Sequence, residues 1–176
     1  VNGKGACLTT KSCLLNPNRN EGLSITKMEY YLKNYLGVKN IIWLDGALDG
    51  DDTDGHVDNL ARFVNSSTIL FCAEEDKKDV NYLNLNSLKN QMKEALSVDG
   101  KPFTTIPLPM PRAIIYKNSR LPASYANFYI GNHAVLIPSF NDPNDHIAKE
   151  TLKGFFPNKK IVPIDSRILV RGQGGL

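Results

Sequence analysis

The apolar positions fall three times into the same succession: short runs that suit strands, a stripe at helical spacing, then another run. The first unit has apolar runs at 6–10 and 13–15, then a helix along which Ile25, Met28, Leu32 and Tyr35 recur, then a strand at 40–44. Ser24 is placed to cap that helix and Gly37 to end it. The second unit predicts strands at 57–64 and 68–73 joined by a turn at Asn65 and Ser66, a helix carrying Leu85, Leu88, Met92 and Leu96, and a strand at 103–108. The third predicts strands at 125–130 and 134–139 around Gly131 and Asn132, a helix with Ile147, Ala148, Leu152 and Phe155, and a strand at 160–164. The helical stripes are core packing rather than cofactor boxes. Three strand-strand-helix-strand units, none able to bury its own apolar face, predict repeats set side by side in a radial array. Pro107, Pro109 and Pro111 read as an extended connector between the second and third units.

Composition narrows the class. With 176 residues, 41% hydrophobic and 22% charged, the chain is expected to form a single α/β domain over 1–176 with a packed core. The net charge of +3 comes from scattered Lys and Arg without a basic run, so no nucleic-acid partner is expected. No apolar stretch approaches the roughly 20 residues that span a bilayer, and no charged and apolar leader opens the chain; no membrane partner and a cytoplasmic location are the expectations. Three cysteines (Cys7, Cys13 and Cys72) argue against a disulfide framework, and each is read as a packed thiol, with Cys7 and Cys13 in the opening strands.

Chemistry concentrates in 50–59, where Asp51, Asp52, Asp54 and Asp58 stand beside His56, one of three histidines. If the strand begins at Val57, side chains two apart share a face, so His56 and Asp58 point the same way: a proton shuttle beside a fixed anion. A loop rich in Asp and Gly is about as often a solvated turn. A calcium loop is excluded, because counting from Asp49 puts Thr53 at the fifth position, Asp54 where Gly belongs and Leu60 where the bidentate Glu belongs. Zinc is also a poor fit, since the cysteines and the other histidines, His133 and His146, form no paired ligand spacing. No metal or other cofactor is called for.

Several segments together resemble the agmatine deiminases and the bacterial-type peptidylarginine deiminases. They are Leu8-Thr9-Thr10, Cys13-Leu14-Leu15-Asn16-Pro17-Asn18-Arg19-Asn20, Tyr35-Leu36-Gly37-Val38, and Trp43-Leu44 leading to Asp52-Thr53-Asp54-Gly55-His56-Val57-Asp58-Asn59. Further along come Leu121-Pro122-Ala123-Ser124-Tyr125-Ala126-Asn127-Phe128-Tyr129, Ile137-Pro138-Ser139-Phe140-Asn141-Asp142, Phe156-Pro157 and Ile164-Asp165. The resemblance covers nearly the whole chain, and the Gly-His-Val-Asp segment is its most specific part. It implies the pentein fold, a five-bladed α/β propeller of strand-strand-helix-strand modules around a central tunnel, with about three of five present. It also implies hydrolysis of a small guanidine, agmatine, to N-carbamoylputrescine and ammonia through a cysteine-bound amidino intermediate. His56 is then the proton shuttle, and Asp58 pairs with the guanidinium; Asp52, Gly172, Gly174 and Gly175 complete the substrate-binding set that the resemblance implies. A homo-oligomer is left open.

Both ends read as cut. The chain opens on Val1, and its glycine-rich close at 171–176 resembles the segment that in the family runs into a His-Cys pair bearing the nucleophile. None of Cys7, Cys13 and Cys72 matches that nucleophile, and the acidic residues the family supplies from its N-terminal half are missing too, so the expectation is the C-terminal half of such an enzyme, inactive alone. The alternatives are a peptidylarginine or free-arginine deiminase, dimethylarginine hydrolase or amidinotransferase of the same fold, and a non-catalytic pentein that binds the ribosome. The last has no use for His56 beside Asp58.

Overall fold

The computed structural model describes residues 1–173. The order of elements is β1 (Ala6–Thr10), α1 (Lys11–Leu14), α2 (Ile25–Leu36), β2 (Asn40–Leu44), β3 (Ala61–Phe63), β4 (Thr68–Ala73), α3 (Tyr82–Glu94) and β5 (Thr104–Pro109). There follow β6 (Ile115–Tyr116), β7 (Ser119–Arg120), β8 (Tyr129–Ile130), β9 (Ala134–Ser139), α4 (Asn144–Phe155) and β10 (Lys160–Asp165).

The strands form separate small sheets, not one continuous sheet. In each unit a parallel pair is bridged by a helix: β1 with β2 across α2, β4 with β5 across α3, β9 with β10 across α4. The second and third units add a leading antiparallel strand, β3 on β4 and β8 on β9, which gives the predicted strand-strand-helix-strand order. The first unit departs from it: 13–15 is not a second strand, and Lys11–Leu14 is a helical turn. Its turn before β1 nevertheless repeats the one before β4, with Asn2 N–H donating to Ala6 O at 3.0 Å as Val64 N–H donates to Thr68 O at 3.1 Å.

Local chemistry accounts for the best-drawn elements. Ser24 Oγ accepts from Lys27 N–H at the start of α2, and Gly37 takes φ 65° at its end, where a side chain would be strained. All five residues of β1 are buried, as expected of a strand covered on both faces. Pro107 and Pro109 are not a connector but lie in β5, an edge strand, where a missing N–H costs no ladder bond on the open side. Leu96 falls beyond the end of α3 and is exposed.

One apolar core runs through all three units, with Leu44, Leu60, Ile69, Leu88, Leu108, Tyr125, Phe128, Ile137 and Leu152 fully buried. The seams between units are specific. α4 packs on β5 of the preceding unit as well as on β10. Gln91 of α3 brackets the residue after β2, accepting from Asp45 N–H at 2.7 Å and donating to Asp45 O at 3.0 Å. No helix among the described residues is long and apolar enough to cross a membrane.

Candidate active site

The predicted strand at 57–64 is overturned in its first half. Val57–Asn59 is a turn of 3-10 helix, closed by Asn59 N–H to His56 O at 3.2 Å and Leu60 N–H to Val57 O at 3.0 Å, and the strand starts only at Ala61. Two features force the turn. Gly55 takes φ 77°, and a Cβ there would stand 2.7 Å from Ser12 Oγ and 2.9 Å from Gly46 O, so the chain passes through a slot only glycine fits. Thr10 Oγ1 then donates to Gly55 O at 2.6 Å and ties the turn to the end of β1.

Strand alternation therefore no longer places His56 and Asp58 on one face. His56 and Asp58 line one cavity of about 250 Å³, together with Val57 and with Thr9, Thr10, Cys13 and Leu14 from β1 and α1. Both residues are half-buried. Asp58 Oδ1 is shielded from solvent and has no hydrogen-bond partner among the described residues. An unpaired buried acceptor costs about 1–3 kcal/mol, more for a charged group, and a bound donor is one way that cost is relieved. Arg62 in β3 feels the Asp58 charge, which opposes the downward push of burial on its guanidinium, but its Nη1 donates to Phe128 O at 3.0 Å and its plane stacks 5.0 Å from the Phe128 ring.

Thr9, Thr10, Cys13 and Leu14 were not singled out as site residues by the sequence. Their only signal was membership of the segments that carried the family resemblance. Cys13 also corrects the reading of a packed core thiol in a strand, since it is only partly buried, sits on α1 and faces this cavity. Its thiol is pushed above the ordinary range by burial, pulled down by Arg19, and pushed up again by Asp54, Asp51 and Asp58. Burial thus works against its thiolate form. Cys7 and Cys72 are buried, as read from sequence.

Of the remaining candidates, Asp52 and Gly172 are not among the residues that line the cavity. Asp52 is exposed, and its N–H donates to Gln173 Oε1 at 3.3 Å, which brings the end of the described chain to the acidic loop. Gly172 closes a 3-10 turn spanning Leu169–Gly172. Gly174 and Gly175 fall outside the described residues. The other aspartates of the loop are engaged: Asp54 with Arg19 Nε at 2.9 Å, Asp51 with Thr53 N–H at 2.8 Å. Among the described residues no group of three or more His, Cys, Asp or Glu could hold a metal ion.

A histidine and a carboxylate with an open, water-shielded oxygen, set in a cavity of hydroxyls and apolar walls, define a site able to pair with a planar cation and shuttle protons beside it. The chain belongs to the Porphyromonas-type peptidyl-arginine deiminase family, whose sequence profile matches residues 1–176. Over 194 aligned residues it is 34% identical to the agmatine deiminase of Pseudomonas aeruginosa, covering 100% of this chain and 53% of that protein. Among solved structures, a Porphyromonas gingivalis protein superposes with TM-score 0.96 at 46% identity, over 100% of this chain and 52% of that one. A C. jejuni agmatine deiminase with substrate bound, a Cys-to-Ser variant, superposes with TM-score 0.93 at 42% identity, over 100% of this chain and 51% of that one. The chain therefore spans about half the length of the relatives it matches.

Proposed function

We propose that this chain supplies the proton-shuttling and guanidinium-pairing half of an agmatine deiminase. The reading rests on Asp58 Oδ1, a solvent-shielded acceptor without a partner among the described residues, on a side chain that lines the same cavity as His56. A guanidinium offers a planar fork of N–H donors, and a charge-assisted bond to Asp58 would stabilise the complex by about 1.5–3 kcal/mol. The three units would be three blades of a five-bladed propeller, with the cavity opening onto its central tunnel.

In the proposed reaction a cysteine thiolate attacks the guanidinium carbon. That thiolate belongs to the segment which the family resemblance places after the glycine-rich stretch. His56 gives a proton to the departing nitrogen, which leaves as ammonia, and a cysteine-bound amidino intermediate remains. Water, deprotonated by His56, adds to the same carbon and the thiolate leaves, so agmatine and water yield N-carbamoylputrescine and ammonia. Cys13 serves as cavity wall: it lines the same cavity as His56 and Asp58 and does not match the position of the family's nucleophile.

Within this half-length chain, agmatine is favoured over free arginine, which carries a carboxylate, by the disposition of the arginines. Each of the six is engaged elsewhere: Arg19 with Asp54, Arg62 with Phe128, Arg112 with Asp142, Arg120 with Asp79, Arg167 with Asp165, and Arg171 over the Tyr116 ring. None lines the cavity to receive a substrate carboxylate. Steady-state ammonia release by the full-length protein from agmatine, arginine and an arginine-containing peptide tests the reading. The highest kcat/KM is expected for agmatine; a higher value for either competitor would move the protein to a neighbouring branch, and no turnover of any guanidine would refute it.

A further inference from the structure

Buried polar side chains are unevenly placed in this protein. Asn59, Ser124 and Asn127 are 5%, 2% and 8% exposed, and all three converge with buried Cys72 on the turn that carries His56 and Asp58. Ser124 Oγ donates to Asn59 O at 2.7 Å and accepts from Ala126 N–H at 3.1 Å. Cys72 Sγ lies 3.3 Å from the same Asn59 O and 3.1 Å from Ser124 Oγ. Asn127 Nδ2 donates to Asn59 Oδ1 at 3.0 Å, while Asn59 Nδ2 reaches Asp51 Oδ2 at 3.5 Å. Both the backbone carbonyl and the side chain of Asn59 are thus held from behind, by β4 on one side and by the strand-free segment leading into β8 on the other.

Holding Asp58 Oδ1 shielded and unpaired is unfavourable, and a turn left to itself would rotate to rehydrate it. Such a conformation persists only when its surroundings over-determine it. The proteinaceous means of doing so here is a connected polar network in a low-dielectric interior, where each bond is strong and each loss is costly. Burial drives the Cys72 thiol up to about 11, so at neutral pH it stays a neutral donor within that network.

We infer that Ser124, Asn127 and Cys72 are positioning residues for catalysis: through Asn59 they fix the 3-10 turn that presents His56 and Asp58 to the substrate. The inference rests on the proposed guanidine hydrolysis for its catalytic part, while its structural part stands alone. A displacement of about 1 Å in a catalytic group can cost on the order of 100-fold in rate.

The experiment uses the full-length protein, with Ser124→Ala, Asn127→Ala and Cys72→Ser, and with Leu152→Ala in the core of the third unit as a stability control. Two readouts are taken: steady-state kinetics on agmatine, and amide hydrogen exchange followed by mass spectrometry. Ser124→Ala is expected to lower kcat by about 100-fold with a smaller change in KM, and Asn127→Ala to act in the same direction. Cys72→Ser, which keeps a donor at the same place, is expected to stay within about threefold of the parent. Exchange at residues 56–60 should speed up in Ser124→Ala while α4 is unchanged. Leu152→Ala should lower Tm at least as much yet leave kcat within about twofold, since remote sites act independently. Unchanged exchange at 56–60 in both alanine variants overturns the inference, as does an active parent whose kcat survives them. A parent inactive on every guanidine refutes the proposed function instead, and the exchange data then decide the positioning claim separately. Should Ser124→Ala fail to fold, Asn127→Ala carries both measurements.

Discussion

Two halves of one ten-residue stretch, 50–59, behave in opposite ways. The acidic loop that opens it is anchored at its surface by its own carboxylates, Asp54 on Arg19 and Asp51 on Thr53, while Asp52 stands exposed. The turn that follows has its backbone secured from behind by Thr10, Ser124 and Cys72, and leaves the Asp58 carboxylate oxygen free. On the proposed reading, carboxylate density does not mark the chemistry. A group already paired on the surface contributes little and is unavailable, whereas a shielded group held by its neighbours and left unpaired is poised for a ligand.

The contrast is broken or sharpened most strongly by removing the groups themselves from the full-length protein. His56→Ala should lower kcat on agmatine by about 10³-fold, and Asp58→Asn should raise KM and lower kcat together, because the cavity then offers the guanidinium no charge. Asp54→Ala, which removes a carboxylate two residues from His56 but breaks only an exposed pair, should stay within about threefold. Steady-state kinetics of the three variants checks this; equal losses in all three would erase the distinction.

Cavity-wall and nucleophile roles for Cys13 separate next. Alkylation of Cys13 should block turnover by filling the cavity, while Cys13→Ser should retain kcat within about threefold, as expected of a thiol that is not the nucleophile. A Cys13→Ser variant crippled by 100-fold or more would place this thiol in the chemistry. Peptide mapping of the labelled protein identifies the thiol that reacted.

Backbone strain gives a third comparison. Gly55→Ala combines a positive φ with contacts at 2.7 and 2.9 Å and should destabilise the fold by roughly 2–4 kcal/mol. Gly172→Ala, with no atom of the described residues within 4 Å of where its methyl would stand, should cost well under about 1 kcal/mol. Denaturant midpoints at constant m-value decide between these outcomes.

The smallest expected effect is alkaline. The folded Cys72 pKa, about 11, lies above the model-compound value of 9.0, chiefly through burial and against its contacts with the Ser124 side chain and the Ala126 backbone. A raised folded pKa means stability fully present below pH 9.0 and lost as pH climbs toward 11, because only the unfolded chain gives up the proton easily. The loss over that window is on the order of 2 kcal/mol. Burial and the Asp145 hydrogen bond raise the Tyr125 phenol as well, so the informative quantity is the difference between parent and Cys72→Ser, which should lose less stability from pH 9 upward. Parallel curves would show that Cys72 exchanges its proton as readily folded as unfolded.

Much of the fold was legible because it is written in local periods. Strands at 40–44, 68–73 and 134–139, the Ser24 cap and the Gly37 stop of α2 sit where spacing placed them. The misreadings share one cause. Cys13-Leu14-Leu15 and Val57 to Leu60 are too short for a period of two to be told from one turn of helix, so tertiary bonds decided. Likewise the expected strand at 125–130 shrinks to Tyr129–Ile130, since Ser124 and Asn127 are drawn into the network around Asn59 before pairing with β9 begins.

By itself the sequence determined the order of the three units and most of the α3 and α4 faces that build the core, while of the stripe expected on α2 only Met28 is buried and Ile25, Tyr35 and, on α4, Ile147 are exposed. It also singled out Gly55-His56-Val57-Asp58 as the candidate seat of chemistry. Those depend on residue type at short separations, which chain geometry converts directly into faces and turns. Only the tertiary structure decided that His56 and Asp58 meet in a cavity walled by Thr9, Thr10 and Cys13, and that the turn is secured by a hydroxyl 65 residues along the chain. No local pattern encodes such a partner, because a buried carbonyl accepts from whichever donor the packing of neighbouring units delivers to it.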